Sequence, residues 1–176
     1  MNYKRFLIFT GAGKGKTTAA IGNIIRALGY NWKIALIQFI KSREDVGEII
    51  TLKKFPEVYI YVGGLGFIPP EKQPEYKKHF EKAKETYHIT TNILEKNYDM
   101  IVIDEIFNAY SKNLLTLKEI EYLINLFFNN PKTKCLIMTG RNAPKSIIEK
   151  ADTVSEVKMI KHAFEYGMPA MEGIEK

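Results

Sequence analysis

The sequence predicts an α/β protein: a mostly parallel sheet of about six strands, flanked by helices on both faces. Two observations carry this expectation. Short apolar runs alternate with longer amphipathic stretches in the order strand, helix, strand, helix. The runs at 6–9, 34–40, 100–103 and 135–138 are continuously apolar apart from Gln38, as strands covered on both faces are. These four are assigned to the sheet centre. Val58, Ile60 and Val62 alternate with Tyr59 and Tyr61, which predicts a strand with one face less deeply covered. A further strand is expected after Asp152.

The helices follow from spacing and end signals. A helical pattern opens behind the first strand and reaches Leu28. Tyr76, Phe80, Ala83, Tyr87 and Leu94 recur at near-helical spacing, so a long helix is expected over about 74–97, with its aromatics facing the core. Thr116 and Glu119 form a capping-box pattern ahead of Ile120, Leu123, Ile124 and Phe127, and Asn129-Asn130-Pro131 ends that helix. The stretch Gly63-Gly64-Leu65-Gly66-Phe67-Ile68-Pro69-Pro70 is too short for a linker and is read as a loop after a strand. Such loops carry function in these folds.

Composition bounds the chemistry. The 176 residues are the size of one domain, and 45% hydrophobic residues suffice for a full core; residues 1–176 are read as a single nucleotide-binding domain. The single cysteine, Cys135, lies in an apolar run, where it is a core residue rather than a nucleophile. No leader-like apolar region is evident, and no segment approaches the ~18 apolar residues of a membrane span. A cytoplasmic protein without a membrane partner is the expectation. Net charge is +6, with 26 Lys+Arg against 20 Asp+Glu. The lysines are scattered and lack an aromatic-interleaved basic stripe, which argues against nucleic acid as a partner.

Thr10-Gly11-Ala12-Gly13-Lys14-Gly15-Lys16-Thr17-Thr18 sits where the first strand meets the first helix. Strand, glycine-rich turn and helix N-terminus aim backbone N–H groups and a helix dipole at one small volume, which suits a polyphosphate. Gly15, Lys16 and Thr17 fit the G-x-x-x-x-G-K-[ST] pattern, while Thr10 stands where the first glycine belongs and the glycine has slipped to Gly11. Residues Gly11, Ala12, Gly13, Lys14, Gly15, Lys16, Thr17 and Thr18 are therefore assigned to nucleotide. Lys16 supplies a cation and Thr17 a hydroxyl for Mg²⁺. The second motif is Met100-Ile101-Val102-Ile103-Asp104-Glu105, in which an apolar strand delivers Asp104 to the loop as a second metal-holding group. Glu105 orients an attacking water in many ATPases, or else assists the metal. Thr139, Gly140 and Arg141 end the next strand, where a hydroxyl and a guanidinium can reach phosphate. Together the two motifs extend the fold class to a P-loop NTPase-like, RecA-like architecture.

The chain as a whole resembles the P-loop-type corrinoid adenosyltransferases. The resemblance runs through residues 11–20, Arg26-Ala27-Leu28-Gly29, Gln38-Phe39-Ile40-Lys41, Gly47-Glu48, Gly64-Leu65-Gly66-Phe67, Asp104-Glu105, Thr139-Gly140-Arg141-Asn142-Ala143-Pro144, Ala151-Asp152, Lys161-His162-Ala163-Phe164, Gly167 and Gly173-Ile174-Glu175. The displaced first glycine is itself a family feature.

The resemblance implies transfer of the 5′-deoxyadenosyl group of ATP to the cobalt(I) of a reduced corrinoid, with triphosphate leaving. Lys16, Thr17, Asp104 and Glu105 would be the catalytic set, Mg²⁺ with Thr17 and Asp104 the metal site, Arg141 a nucleotide contact, and Gly66 and Phe67 the corrinoid contacts. It further implies a homodimer and a flavoprotein reductant. Cobalt(I) needs no general base, and no Ser-His-Asp or Cys-His arrangement is evident. An aromatic, commonly Trp, stands in the family two residues after Phe67; here it is Pro69, so the corrinoid pocket is expected to differ. Contacts made by an N-terminal arm in many bacterial relatives are expected to be missing or to come from elsewhere, such as a partner subunit. Without the family, Phe67 reads as a loop anchor packed on the core, and His162 as a structural residue with no catalytic role. Two rivals stand beside this reading: a RecA-like ATPase acting on nucleic acid, and a small-molecule kinase.

Overall fold

The computed structural model describes residues 4–175; residues 1–3 and 176 of the expected domain lie outside them. Six parallel strands form one sheet in the order β3-β2-β4-β5-β1-β6. They are β1 (Arg5–Thr10), β2 (Ile34–Gln38), β3 (Val58–Val62), β4 (Met100–Asp104), β5 (Cys135–Thr139) and β6 (Thr153–Glu156). The four continuously apolar runs are the four central strands. β3, with its alternating tyrosines, is one edge, and β6, exposed at every residue, is the other.

Period two is hidden inside the apolar runs. Phe6, Ile8, Ala35, Ile37, Ile101, Ile103, Leu136 and Met138 face one core, and Ile34, Leu36, Met100, Val102, Cys135 and Ile137 face the other. Helices α1 (Lys16–Leu28) and α2 (Gly47–Leu52) cover the second face through Ala20, Ile24, Ala27, Ile49 and Leu52. Helices α3 (Tyr76–Leu94), α4 (Ile106–Ser111), α5 (Leu117–Asn129) and α6 (Lys145–Ile148) cover the first. Parallel strands with crossover helices on both faces require this two-sided burial. Cys135 is a core residue, and burial pushes its thiol up to about 12.

The α5 capping box is formed. Glu119 N donates to Thr116 Oγ1 at 3.3 Å, and Thr116 N donates to Glu119 Oε2 at 2.8 Å. α3 is shorter than its sequence pattern at both ends. One of its aromatics departs from expectation: Phe80 is exposed, with Lys84 Nζ, one helical turn on, lying 4.9 Å from its ring centroid. Among the described residues, no helix is long and apolar enough to cross a membrane.

Candidate active site

The carboxyl ends of β1, β2, β4 and β5 meet at one side of the sheet, where ligands bind in open α/β folds. The phosphate loop leaves β1 there. Gly15, at φ 121°, precedes α1 without a side-chain cap, so the first-turn amides of α1 face open space rather than a capping oxygen. An uncapped N-terminus of a thirteen-residue helix is an anion seat.

The slipped glycine has a packing cause. Gly11 sits at φ 101°, and a Cβ there would lie 2.5 Å from the Val157 carbonyl oxygen. The segment after β6 runs directly against the loop: Val157 N donates to Thr10 O at 2.8 Å, and Gly13 N donates to Val157 O at 2.7 Å. Thr10 fills the usual glycine position as a buried residue whose Oγ1 accepts from Ala143 N at 3.2 Å. The Gly13 amide, read from sequence as a phosphate donor, is therefore already bound to Val157. Lys14 is likewise engaged, its Nζ donating to Ile174 O at 2.8 Å.

Lys16 folds back, Nζ donating to Gly13 O at 2.7 Å. Burial holds its pKa below the usual lysine value, and nearby Arg141 lowers it further. Asp104 is wholly buried and accepts from three side chains. Thr17 Oγ1 reaches Oδ1 and Oδ2 at 3.0 and 3.2 Å, Thr139 Oγ1 reaches Oδ1 at 2.6 Å, and Gln38 Nε2 reaches Oδ2 at 3.1 Å. The Thr139 hydroxyl, expected at a phosphate, is thus buried against Asp104 and also accepts the Glu105 N–H at 2.9 Å.

Glu105 follows in the left-handed region, φ 60° and ψ 21°, which a non-glycine residue rarely adopts. Burial first, and Asp104 second, push its carboxyl up to about 7, against the pull of Lys41, Lys16 and Arg141. Its Oε2 and the Oε1 of Gln38 are buried without a partner. Orphaned oxygens beside Thr17 and Asp104 are a hard donor set that fits Mg²⁺. Among the described residues no group of three or more His, Cys, Asp or Glu is placed to hold a metal, so phosphate and water oxygens would complete the shell.

A cleft of about 1300 Å³ is lined by the loop residues 12–18 together with Glu105, Arg141, Phe67 and Phe164. Phe67 is 90% exposed, while Ile68 is buried. The loop anchor packed on the core is therefore Ile68 and not Phe67. Gly63 N, Gly66 N and Gly64 N donate to the carbonyls of Gln38, Ile40 and Lys41 at 2.8, 2.9 and 2.9 Å, which fastens the loop and leaves the ring facing the cleft. His162 lines the same cleft, but its Nδ1 accepts from Phe164 N at 3.2 Å and caps a 3₁₀ turn over Ala163–Tyr166, as a structural histidine does. Sequence reasoning missed Gln38 as a partner of Asp104, although it was the one polar residue in a buried strand.

The fold alone is shared with proteins of low identity. FlaH of Methanocaldococcus jannaschii, a flagellar accessory protein, superposes with TM-score 0.53 at 9% identity, over 89% of this chain and 72% of that one. A KaiC-like protein of Pyrococcus horikoshii gives 0.51 at 17% identity, over 90% and 74%. Sequence comparison is more specific. The corrinoid adenosyltransferase of Pseudomonas aeruginosa is 33% identical over 171 residues, 96% of this chain and 82% of the relative. That of Escherichia coli K12 is 35% identical over 170 residues, 96% and 84%. The family model described as ATP:corrinoid adenosyltransferase BtuR/CobO/CobP matches residues 3–175, and the chain belongs to that family.

Proposed function

We propose that the protein transfers the 5′-deoxyadenosyl group of ATP to the cobalt(I) of a reduced corrinoid, in the making or salvage of adenosylated corrinoids. The observation that carries the reading is one cleft lined both by a phosphate loop and by a 90%-exposed Phe67, in a chain of this family. The cobalt electron pair attacks C5′ of the ribose, the Co–C bond forms, and the C5′–O bond breaks with its pair leaving on triphosphate. What needs stabilising is charge on that leaving group. Lys16, released from Gly13, meets it. The first-turn amides of α1 add donors fixed in place beforehand, and the exposed Arg141 adds a mobile cation. Thr17 and Asp104 would hold Mg²⁺, which when bound neutralises phosphate charge. Glu105 assists that centre. Gly66 lets Phe67 reach the corrinoid, where the ring excludes water and an axial ligand from cobalt.

The finer context is part of the same proposal: one domain over residues 1–176, a cytoplasmic homodimer, and a reduced flavoprotein as electron donor. The exposed apolar side chains Ile160, Met168 and Met171 support a subunit contact. Nucleic acid is not assigned as a partner.

Product analysis tests the reading. Protein, Mg-ATP and chemically reduced corrinoid should yield triphosphate and the spectrum of an adenosylated corrinoid. ADP would instead mark a kinase, and corrinoid-independent inorganic phosphate an ATPase. Glu105→Gln separates the last case further: adenosyl transfer should persist at an appreciable rate, since no water has to be activated, whereas an ATPase would lose turnover.

A further inference from the structure

Gln38, Asp104 and Thr139 end three adjacent strands on the α1 face of the sheet. Gln38 and Asp104 are direct register partners across β2 and β4. An amide at this point interrupts a run in which Ile34, Ala35, Leu36 and Ile37 are fully buried, and Gln38 itself has no exposed surface. Its orientation is fixed by chemistry. A carboxylate only accepts, so the side facing Asp104 Oδ2 at 3.1 Å is the NH₂, and Oε1 is the orphaned atom. Packing alone favours an apolar residue in this strand, since a buried acceptor without a donor is costly.

We infer that Gln38 is the positioning residue of the metal centre: its N–H sets the angle of the Asp104 carboxylate, and its Oε1 accepts from a water in the shell of the bound cation. The inference rests on the reading that Thr17 and Asp104 hold Mg²⁺. The same residue's carbonyl accepts from Gly63 N, so its position is pinned by the loop that carries Phe67. Second-sphere partners of this kind change metal affinity by about 10–100-fold when removed.

The test is calorimetry of ATP binding to the whole protein, with saturating Mg²⁺ and with EDTA. Wild type should bind more tightly with the metal. Gln38→Met, similar in length and apolar, should reduce that metal-dependent gain by about 10-fold, while affinity in EDTA stays within about 2-fold. A packing role would weaken both conditions alike. Should Gln38→Met fail to fold, Gln38→Asn keeps the amide but draws it back by one methylene, and should reduce the gain in the same sense. A wild-type gain in the folded Gln38 variant overturns the inference. Thr17→Ala marks which idea has failed: if it reduces the gain and the Gln38 variant does not, only the role of Gln38 falls. If neither changes it, the metal reading falls, and this inference with it.

Discussion

Lys16 donates to the Gly13 carbonyl of its own loop, and Thr17 donates to Asp104. Both are half-buried side chains of the first turn of α1, and neither belongs to its apolar core, which is Ala20, Ile24 and Ala27, so their removal leaves that core intact. Lys16→Ala and Thr17→Ala should each lower adenosyl transfer ~100-fold or more, since a lost transition-state charge contact is worth several kcal/mol at about 1.4 kcal/mol per decade. Steady-state rates beside unchanged circular dichroism would check this. Glu105 gives a pH prediction for the protein free of metal and nucleotide. Its carboxyl rises from the ordinary 4.5 to about 7 on folding. Between those values the unfolded chain sheds the proton and the folded one keeps it. This group's contribution to stability is therefore full below the ordinary value and is lost as pH rises through about 7. Urea unfolding at about pH 5 and pH 8 should show wild type losing ~2 kcal/mol more than Glu105→Gln across that interval; parallel changes would place Glu105 in water. The loop residues were legible because only glycine tolerates those backbone approaches, and because Lys-Thr at a strand-helix junction has a fixed use. Gln38 and Thr139 were not legible as partners of Asp104, since a hydrogen bond across adjacent parallel strands leaves no spacing in the chain.

Element type followed from patterns long enough to contain several turns or a full pleat. α1, α3 and α5 have 13, 19 and 13 residues and announce themselves by periodicity. α2, α4 and α6 have 6, 6 and 4 residues, too few for a period to repeat, and they were not anticipated. They are set by tertiary packing: Ile49 and Leu52 on α2, Phe107 on α4 and Ile147 on α6 are each fully buried. Within α1, Gly22 is an exposed helical glycine whose added Cβ would meet nothing within 4 Å. Gly22→Ala should therefore stabilise by ~0.5–1 kcal/mol through the entropy of the unfolded chain, which for a protein of this size raises Tm by about 1–4 °C. Differential scanning calorimetry checks it. A fall in Tm would mean that another surface approaches this face of α1. Gly11 in the same region is the opposite case, because the carbonyl of Val157 occupies the space that its side chain would need.

Across the whole molecule, one sheet brings together three stretches distant in sequence: the loop after β1, the loop after β3, and the segment after β6. Sheet and core were readable because burial on both faces demands continuous apolar strands. The closure of residues 157–175 over the phosphate loop was not, because backbone bonds such as Gly13 N to Val157 O leave no trace in side-chain type. The resulting cleft separates two tasks, and Phe67 tests whether they are separable. Its ring is exposed in the cleft, while Ile68 does the anchoring. Phe67→Ala should thus leave ATP affinity and Tm close to wild type, since neither the phosphate end nor the core loses a contact. Transfer should split by assay. With cobalt(I) made chemically, the variant should stay within several-fold of wild type. With cobalt(II) corrinoid and a weak protein reductant it should drop ~10-fold or more, on the scale of a lost aromatic contact of 1–2 kcal/mol, because that route alone needs the lower axial ligand kept away. With proline at position 69, Phe164, which lines the same cleft, is the aromatic placed to share the task. A Phe67→Ala/Phe164→Ala double variant should then lose more than either single change. Spectroscopy of bound cobalt(II) corrinoid with ATP reads the effect directly as the fraction lacking its lower ligand. Equal fractions and equal rates in wild type and Phe67→Ala would move the corrinoid away from this wall of the cleft.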